Sequence, residues 1–165
     1  MIQCISNEEY ISLARTNNNS SNITYKVLDI DIFDIEKVYD YIVCFETLEH
    51  VKYPRLLLNK LYNALSEDGV MFLSVPNSKY EVIENGKNKD PYHLHTFEYE
   101  SLINMLKEMG FIISDILGQS MTNMIVNNEI FNIEEKDLII DSLNIGYPNN
   151  KVLEKTYSYL FVLKK

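Results

Sequence analysis

A chain of 165 residues, 46% hydrophobic and 24% charged, is long enough and apolar enough to bury a core of its own, which excludes disorder and collagen-like repeats. The net charge of -9 excludes a surface that grips phosphate backbones through clustered Lys and Arg, so nucleic acid is not an expected partner. No apolar run reaches the roughly 18 residues of a membrane-spanning helix and the opening MIQCISNEEY is no signal peptide, so a cytoplasmic protein with no membrane partner is expected.

In chain order, Ile2 to Ile5 reads as a short strand. Ser6 follows as an N-cap, with Glu8 and Glu9 in the first turn of a helix running to about Arg15. After a polar loop from Asn17 to Asn22, Ile23 to Leu28 alternates as a strand does and ends at Asp29. Tyr41 to Phe45 is a continuous apolar run of the kind buried on both faces of a parallel sheet. Leu57, Leu58, Leu61, Ala64 and Leu65 recur at helical spacing, which predicts a helix over Pro54 to Ser66 closed by Asp68-Gly69. Val70 to Val75 is the next strand, stopped by Pro76-Asn77. A loop through Gly86, Lys87, Asn88, Lys89 and Asp90 leads to a helix over Glu98 to Met109, ended by Gly110. Phe111 to Leu117 reads as a strand, Ile133 to Leu143 as a helix and Tyr157 to Leu163 as a closing strand.

Strands alternating with helices predict a single α/β domain over residues 1–165, with a mostly parallel sheet and ligands at the carboxyl ends of its strands. Cys4 and Cys44 lie in apolar runs without paired spacing and read as reduced, buried thiols. The five glycines are about 3% of the chain against a usual ~7%, and no two lie close enough to write a glycine-rich phosphate loop.

Four segments carry a resemblance. Tyr39 to Val51 (YDYIVCFETLEHV), Leu65 to Asn77 (LSEDGVMFLSVPN), His93 to Phe97 (HLHTF) and Met109-Gly110-Phe111 are similar, in that order, to the class I S-adenosylmethionine-dependent methyltransferases. That family has a fourth strand ending in E-x-L-E-H-V, an L-x-x-G-G turn, a fifth strand ending in P-N, and G-F before the sixth strand. The resemblance implies a Rossmann-like methyltransferase sheet, mostly parallel with an antiparallel last strand. It implies S-adenosylmethionine as the cofactor and a small-molecule acceptor as the partner. Set against the family, the usual first strand, its glycine-rich loop and the leading helix have no counterpart here, which reads as an N-terminally truncated domain. Either the sheet re-pairs, or a second chain or an oligomer completes it, or this is a shortened version of a longer protein.

Site residues follow from the same alignment. Asp29 and Ile30 match the adenine-contacting position after the third strand, and Phe45 and Glu46 match positions flanking the methionine part. Cys4 stands where the family carries a ribose-binding carboxylate, and a thiol cannot accept both ribose hydroxyls.

All three histidines fall in one constellation with Glu46 and Glu49. If the turn after Phe45 is helical, Glu46, Glu49 and His50 share a face and, with His95, can hold a divalent metal. E-x-x-E-H with a later H-x-F resembles the metal-dependent small-RNA 2′-O-methyltransferases, which points to His95 ahead of His93; its first part also resembles ubiquinone-pathway O-methyltransferases. Without metal, His93 or His95 is the candidate catalytic base; a structural role for Glu49 and His50 also stands open. Tyr80, Tyr92 and Tyr99 are candidates to stack on an acceptor or simply to pack. Two functions follow: O-methylation of a small hydroxylated acceptor, or a methyltransferase-derived remnant or partner subunit that acts by association.

Overall fold

The computed structural model describes residues 2–5, 8–18, 20–29, 31, 34–35, 37–84, 86–119, 123–126, 129–132, 145–146 and 156–165. They form two compact units, Met1–Ile35 and Glu36–Lys165.

In the first unit, strand β1 (Ile2–Ile5) pairs in parallel with β2 (Thr24–Val27), and helix α1 (Glu8–Asn17) connects them. Glu8 and Glu9 sit at the positive N-terminal end of α1 and Arg15 at its negative end, as the helix dipole favours. The helix is tied to β2 twice: Arg15 donates to the Tyr25 carbonyl at 3.1 Å, and the Tyr25 hydroxyl donates to the Asn18 carbonyl at 3.1 Å. Ile11 is its fully buried residue. The expected cap Ser6 lies outside the described residues.

The second unit is built on a five-stranded sheet of β3 (Tyr39–Phe45), β4 (Leu65–Pro76), β7 (Ile112–Gln119), β10 (Ile145–Gly146) and β11 (Ser158–Lys164), in the order β10-β7-β11-β4-β3. β3 and β4 are parallel, and β11 lies antiparallel between β4 and β7. The antiparallel closing strand is therefore inserted into the sheet, and it is almost wholly buried there. Between β4 and β7 come two short hairpin strands, β5 (Ile83–Glu84) and β6 (Lys87–Asn88), which turn at Gly86 with φ +76°. β8 (Asn123–Val126) and β9 (Glu129–Asn132) form a separate hairpin. The helix expected over Ile133 to Leu143 lies outside the described residues.

Helix α2 (Pro54–Ala64) starts with proline in its first turn, where a missing N–H leaves nothing unsatisfied, and buries Leu57, Leu58, Leu61 and Ala64. Helix α3 (Tyr99–Glu108) buries Leu102 and Leu106, and Gly110, at φ +94°, ends it in the left-handed conformation. Their apolar stripes join Met71, Leu73 and Val75 of β4 and Phe161 and Leu163 of β11 among the most deeply buried side chains. Tyr99 stacks on Tyr159 and Phe161 at centroid distances of 4.9 and 6.4 Å, a packing role. Among the described residues no helix is long and apolar enough to cross a membrane.

Two expectations need correction. The α2 helix stops at Ala64, and β4 begins at Leu65 and runs straight through Asp68-Gly69. Leu65 is held as a strand residue because it pairs with Tyr39; the register then jumps so that Tyr41 meets Val70, and residues 66–69 bulge out between. The Ser66 hydroxyl donates to Asp40 at 2.9 Å across that bulge.

Nor is the Tyr41 to Phe45 run buried on both faces. Among the described residues β3 pairs only with β4 and forms the end of its sheet, so Tyr41, Val43 and Phe45 are exposed while Cys44 is buried. Cys44 carries no disulfide, and burial pushes its thiol up to about 12.

Candidate active site

The parallel strands β3 and β4 deliver their carboxyl ends to one place, where α/β sheets bind ligands. β3 ends at Phe45, and the next residue, Glu46, adopts φ +44°. That left-handed turn is costly for a residue with a Cβ, and such strain concentrates at functional sites. It is held by β4 and β11: the Glu46 N–H meets the Ser74 carbonyl at 3.2 Å, and its carboxylate accepts from the Ser74 hydroxyl at 2.7 Å and the Ser158 hydroxyl at 3.3 Å.

The chain then makes a single turn, with the His50 N–H donating to the Thr47 carbonyl at 3.0 Å. Glu49 leaves this turn pointing inward, its side chain only 1% exposed, and neither carboxylate oxygen has a hydrogen-bond partner. A buried carboxylate without donors is expensive to ionise. Burial accordingly pushes the Glu49 carboxyl up to about 7, with its own backbone N–H opposing the effect, the negative charge of Glu46 adding to it and the imidazoles of His50 and His93 opposing it.

Two histidines converge on this carboxylate. His50 Nε2 is 3.7 Å from Glu49 Oε1, and the His50 and His93 rings meet edge to face at 4.8 Å. Ligand atoms of Glu49, His50 and His93 lie within 4.8 Å of one another. His50 Nδ1 lies 2.9 Å from the Tyr92 carbonyl oxygen, which can only accept, so Nδ1 carries the proton and neutral His50 keeps its lone pair on Nε2.

The structure distributes the sequence candidates unevenly. Glu49, His50 and His93 form the cluster. Glu46 stands outside it because the turn is not helical and its side chain is taken by Ser74 and Ser158. His95 also stands outside: its ring lies beside Phe97 at 6.1 Å, and its backbone N–H, like that of Leu94, donates to the Glu49 carbonyl. Phe45 is half-exposed at the end of β3. Asp29, in the first unit, is exposed and its carboxylate accepts from the Asp31 N–H at 3.0 Å, capping a turn; Ile30 lies outside the described residues.

Two residues were not legible from sequence. Glu81 follows the 3-10 turn Ser78–Tyr80 after β4 and pairs with His93 Nδ1 at 2.8 Å. Tyr157, just before β11, has its phenol pushed up by burial and by the charges of Glu46, Glu81, Glu49 and Asp90, which places it in the field of the same acids. Its position is fixed by the backbone, since its N–H donates to the Gln119 carbonyl at 2.8 Å and its carbonyl accepts from Asn77 N–H at 2.7 Å. Asn77, fully buried, also donates through its side chain to the Thr156 carbonyl at 2.9 Å. Proximity of Pro76-Asn77 to the strand end was the one available signal for this region.

A mixed α/β sheet with β3 and β4 parallel and β11 inserted antiparallel, and acid and imidazole groups at the carboxyl ends of β3 and β4, is the architecture of a Rossmann-like domain with a candidate site at those strand ends. Comparison with known proteins is more specific. The profile of the methyltransferase domain family matches residues 7–114, and the chain belongs to that family, the class I S-adenosylmethionine-dependent methyltransferases.

Among similar proteins, ubiquinone biosynthesis O-methyltransferase of Glaesserella parasuis is 37% identical over 67 residues, 36% of this chain and 28% of that protein. (S)-Coclaurine N-methyltransferase of Thalictrum flavum is 32% identical over 69 residues, 42% of this chain and 19% of that protein. The matches thus span less than a third of these relatives' lengths. An S-adenosylmethionine-dependent methyltransferase from Mesorhizobium loti shares the fold with a TM-score of 0.66 at 15% identity, over 99% of this chain and 79% of that one. Coclaurine N-methyltransferase bound to N-methylheliamine and S-adenosylhomocysteine gives 0.56 at 21% identity, over 72% and 38%.

Proposed function

We propose that the chain is an S-adenosylmethionine-dependent methyltransferase acting on the oxygen of a small hydroxylated acceptor. The observation that carries this is the buried, unpartnered Glu49 carboxylate with His50 and His93 around it, at the strand ends where this family works. When bound, S-adenosylmethionine supplies an electrophilic methyl carbon, which the acceptor oxygen takes in one displacement as the carbon–sulfur bond breaks and S-adenosylhomocysteine leaves. Half-exposed Phe45, at the end of β3, is the residue to meet its methionine part.

The chain's own contribution is proton handling and orientation. His93 accepts the hydroxyl proton at Nε2, and Glu49 lies beside the imidazoles to balance the charge that results. Glu46, locked to two serine hydroxyls, keeps the turn in place so that these groups do not reorganise during reaction.

The same three residues fit a divalent cation: one orphaned carboxylate and two imidazoles are a donor set for a borderline metal. Glu49, His50 and His93 would hold it, and it would supply Lewis-acid lowering of the acceptor hydroxyl pKa.

Titration calorimetry with S-adenosylhomocysteine tests the reading. Saturable binding is expected; no heat up to millimolar concentrations removes it for this chain.

A second reading, function by association, is favoured by one observation. β3 ends its sheet with Tyr41, Val43 and Phe45 exposed and carries no charged residue except Asp40, so the usual protection of an edge strand is largely absent. The occupant that fits is a second copy of the chain laid along β3, and light scattering distinguishes dimer from monomer.

A further inference from the structure

We propose that Glu81 is the positioning residue of this site: it holds His93 in the Nδ1–H tautomer and so leaves the lone pair on Nε2. This rests on the reading of His93 as proton acceptor or cation ligand given above, and it assigns a role to a residue outside that cluster.

The contact is short and sheltered. His93 Nδ1 lies 2.8 Å from Glu81 Oε1, and the two side chains are 15% and 7% exposed, so water competes little for the bond. A carboxylate only accepts, so in neutral His93 the proton sits on Nδ1. His50 is set in the same sense by the Tyr92 carbonyl, so both imidazoles of the cluster present Nε2.

Both ends of the clasp are built in. Glu81 hangs from a 3-10 turn that begins at buried Asn77: the Tyr80 N–H donates to the Asn77 carbonyl at 2.9 Å and the Glu81 N–H to the Ser78 carbonyl at 3.3 Å. The Asn88 side-chain amide donates to the same Glu81 oxygen that receives His93. On the other side, His93 N–H donates to the Asp90 carbonyl at 3.2 Å, while the Asp90 carboxylate accepts from the Tyr92 N–H at 2.9 Å. Leu94 N–H then donates to the Glu49 carbonyl at 2.8 Å, which ties the loop carrying His93 to the turn carrying Glu49.

The groups facing His93 are Glu81 at Nδ1, Asp90 Oδ2 at 3.8 Å from Nε2, the His50 ring and Glu49. Among the described residues Glu81 is the one within hydrogen-bond distance of a His93 ring nitrogen, so it decides the tautomer. Carboxylates that orient an active imidazole in this way are typically worth 10- to 100-fold in activity or metal affinity.

The test is a proton–nitrogen correlation spectrum of the histidine rings in the ¹⁵N-labelled full chain, chelated and without cofactor or acceptor, at a pH above the imidazole range. The expected spectrum of His93 shows a protonated Nδ1 and an unprotonated Nε2. Glu81→Ala is expected to shift it toward the Nε2–H form, and Glu81→Gln, which keeps an acceptor oxygen, to retain the original pattern. A wild-type His93 in the Nε2–H form overturns the proposal by itself, even if the alanine variant does not fold. So does a folded Glu81→Ala protein with an unchanged tautomer. In turnover, Glu81→Ala should lower kcat by about 10- to 100-fold with the acceptor KM little changed; a loss confined to KM overturns the positioning role. Methyl transfer to no acceptor at all removes the functional reading and leaves the tautomer result standing.

Discussion

Glu49 concentrates the physical chemistry of the site in one side chain. In the folded chain its carboxyl is raised from 4.5 to about 7, whereas in the unfolded chain it ionises at the ordinary value. Between those two values the native state holds a proton that the unfolded state has released, so stability falls as pH rises through this window and levels off above it. At about 1.4 kcal/mol per unit, this one group accounts for a loss on the order of 3 kcal/mol. Glu49→Gln keeps the shape and cannot ionise. With a chelator present, its melting temperature should match wild type below pH ~4 and exceed it above pH ~8. Equal melting temperatures at both pH values would show that Glu49 finds a partner in solution.

At the scale of elements, β3 combines a paired edge and an open one. Its paired side places Cys44 in the core, while Val43 stands 61% exposed on the other face. A lysine there should cost the folded monomer no more than about 0.5 kcal/mol, as exposed substitutions do. If the open edge is the surface of a dimer, Val43→Lys should convert the light-scattering mass from dimer to monomer with the melting temperature held. The loop between β4 and α3 is the opposite case: the β5–β6 hairpin, the Asp90 turn and the Glu81–His93 clasp give it one shape from polar bonds.

For the whole molecule, the division at Ile35 separates two kinds of stability. Residues 36–165 own the five-stranded sheet, both long apolar helices and nearly all the fully buried side chains. Among the described residues of the first 35 are one helix and two strands, and a unit of that length is marginal for independent folding. A chain of residues 36–165 should therefore unfold cooperatively by circular dichroism, and a broad, non-cooperative transition would show that it depends on the first 35 residues.

Much of this was readable in one dimension. Leu57, Leu58, Leu61 and Ala64 announce α2, Gly110 marks the end of α3, and the residues from Glu46 to His50 and Pro76-Asn77 mark the strand ends, because helical period, glycine conformation and strand termination are local properties. What local pattern could not reach was decided by packing. Leu65 looks like the next helical residue, yet it pairs with Tyr39 and becomes a strand residue. His93 and His95 are chemically identical; His93 joins the cluster because Glu81, twelve positions earlier, takes its Nδ1, whereas the His95 ring lies beside Phe97. Tyr157 reaches the acids only because β11 is inserted between β4 and β7. The sequence by itself determined the family, the alternation of strands and helices and the stock of acids and imidazoles, since each is carried by residue type and spacing. Which of those groups meet was determined by the tertiary structure, because a side chain's neighbours across a sheet or a loop depend on register and backbone hydrogen bonds between segments far apart in the chain.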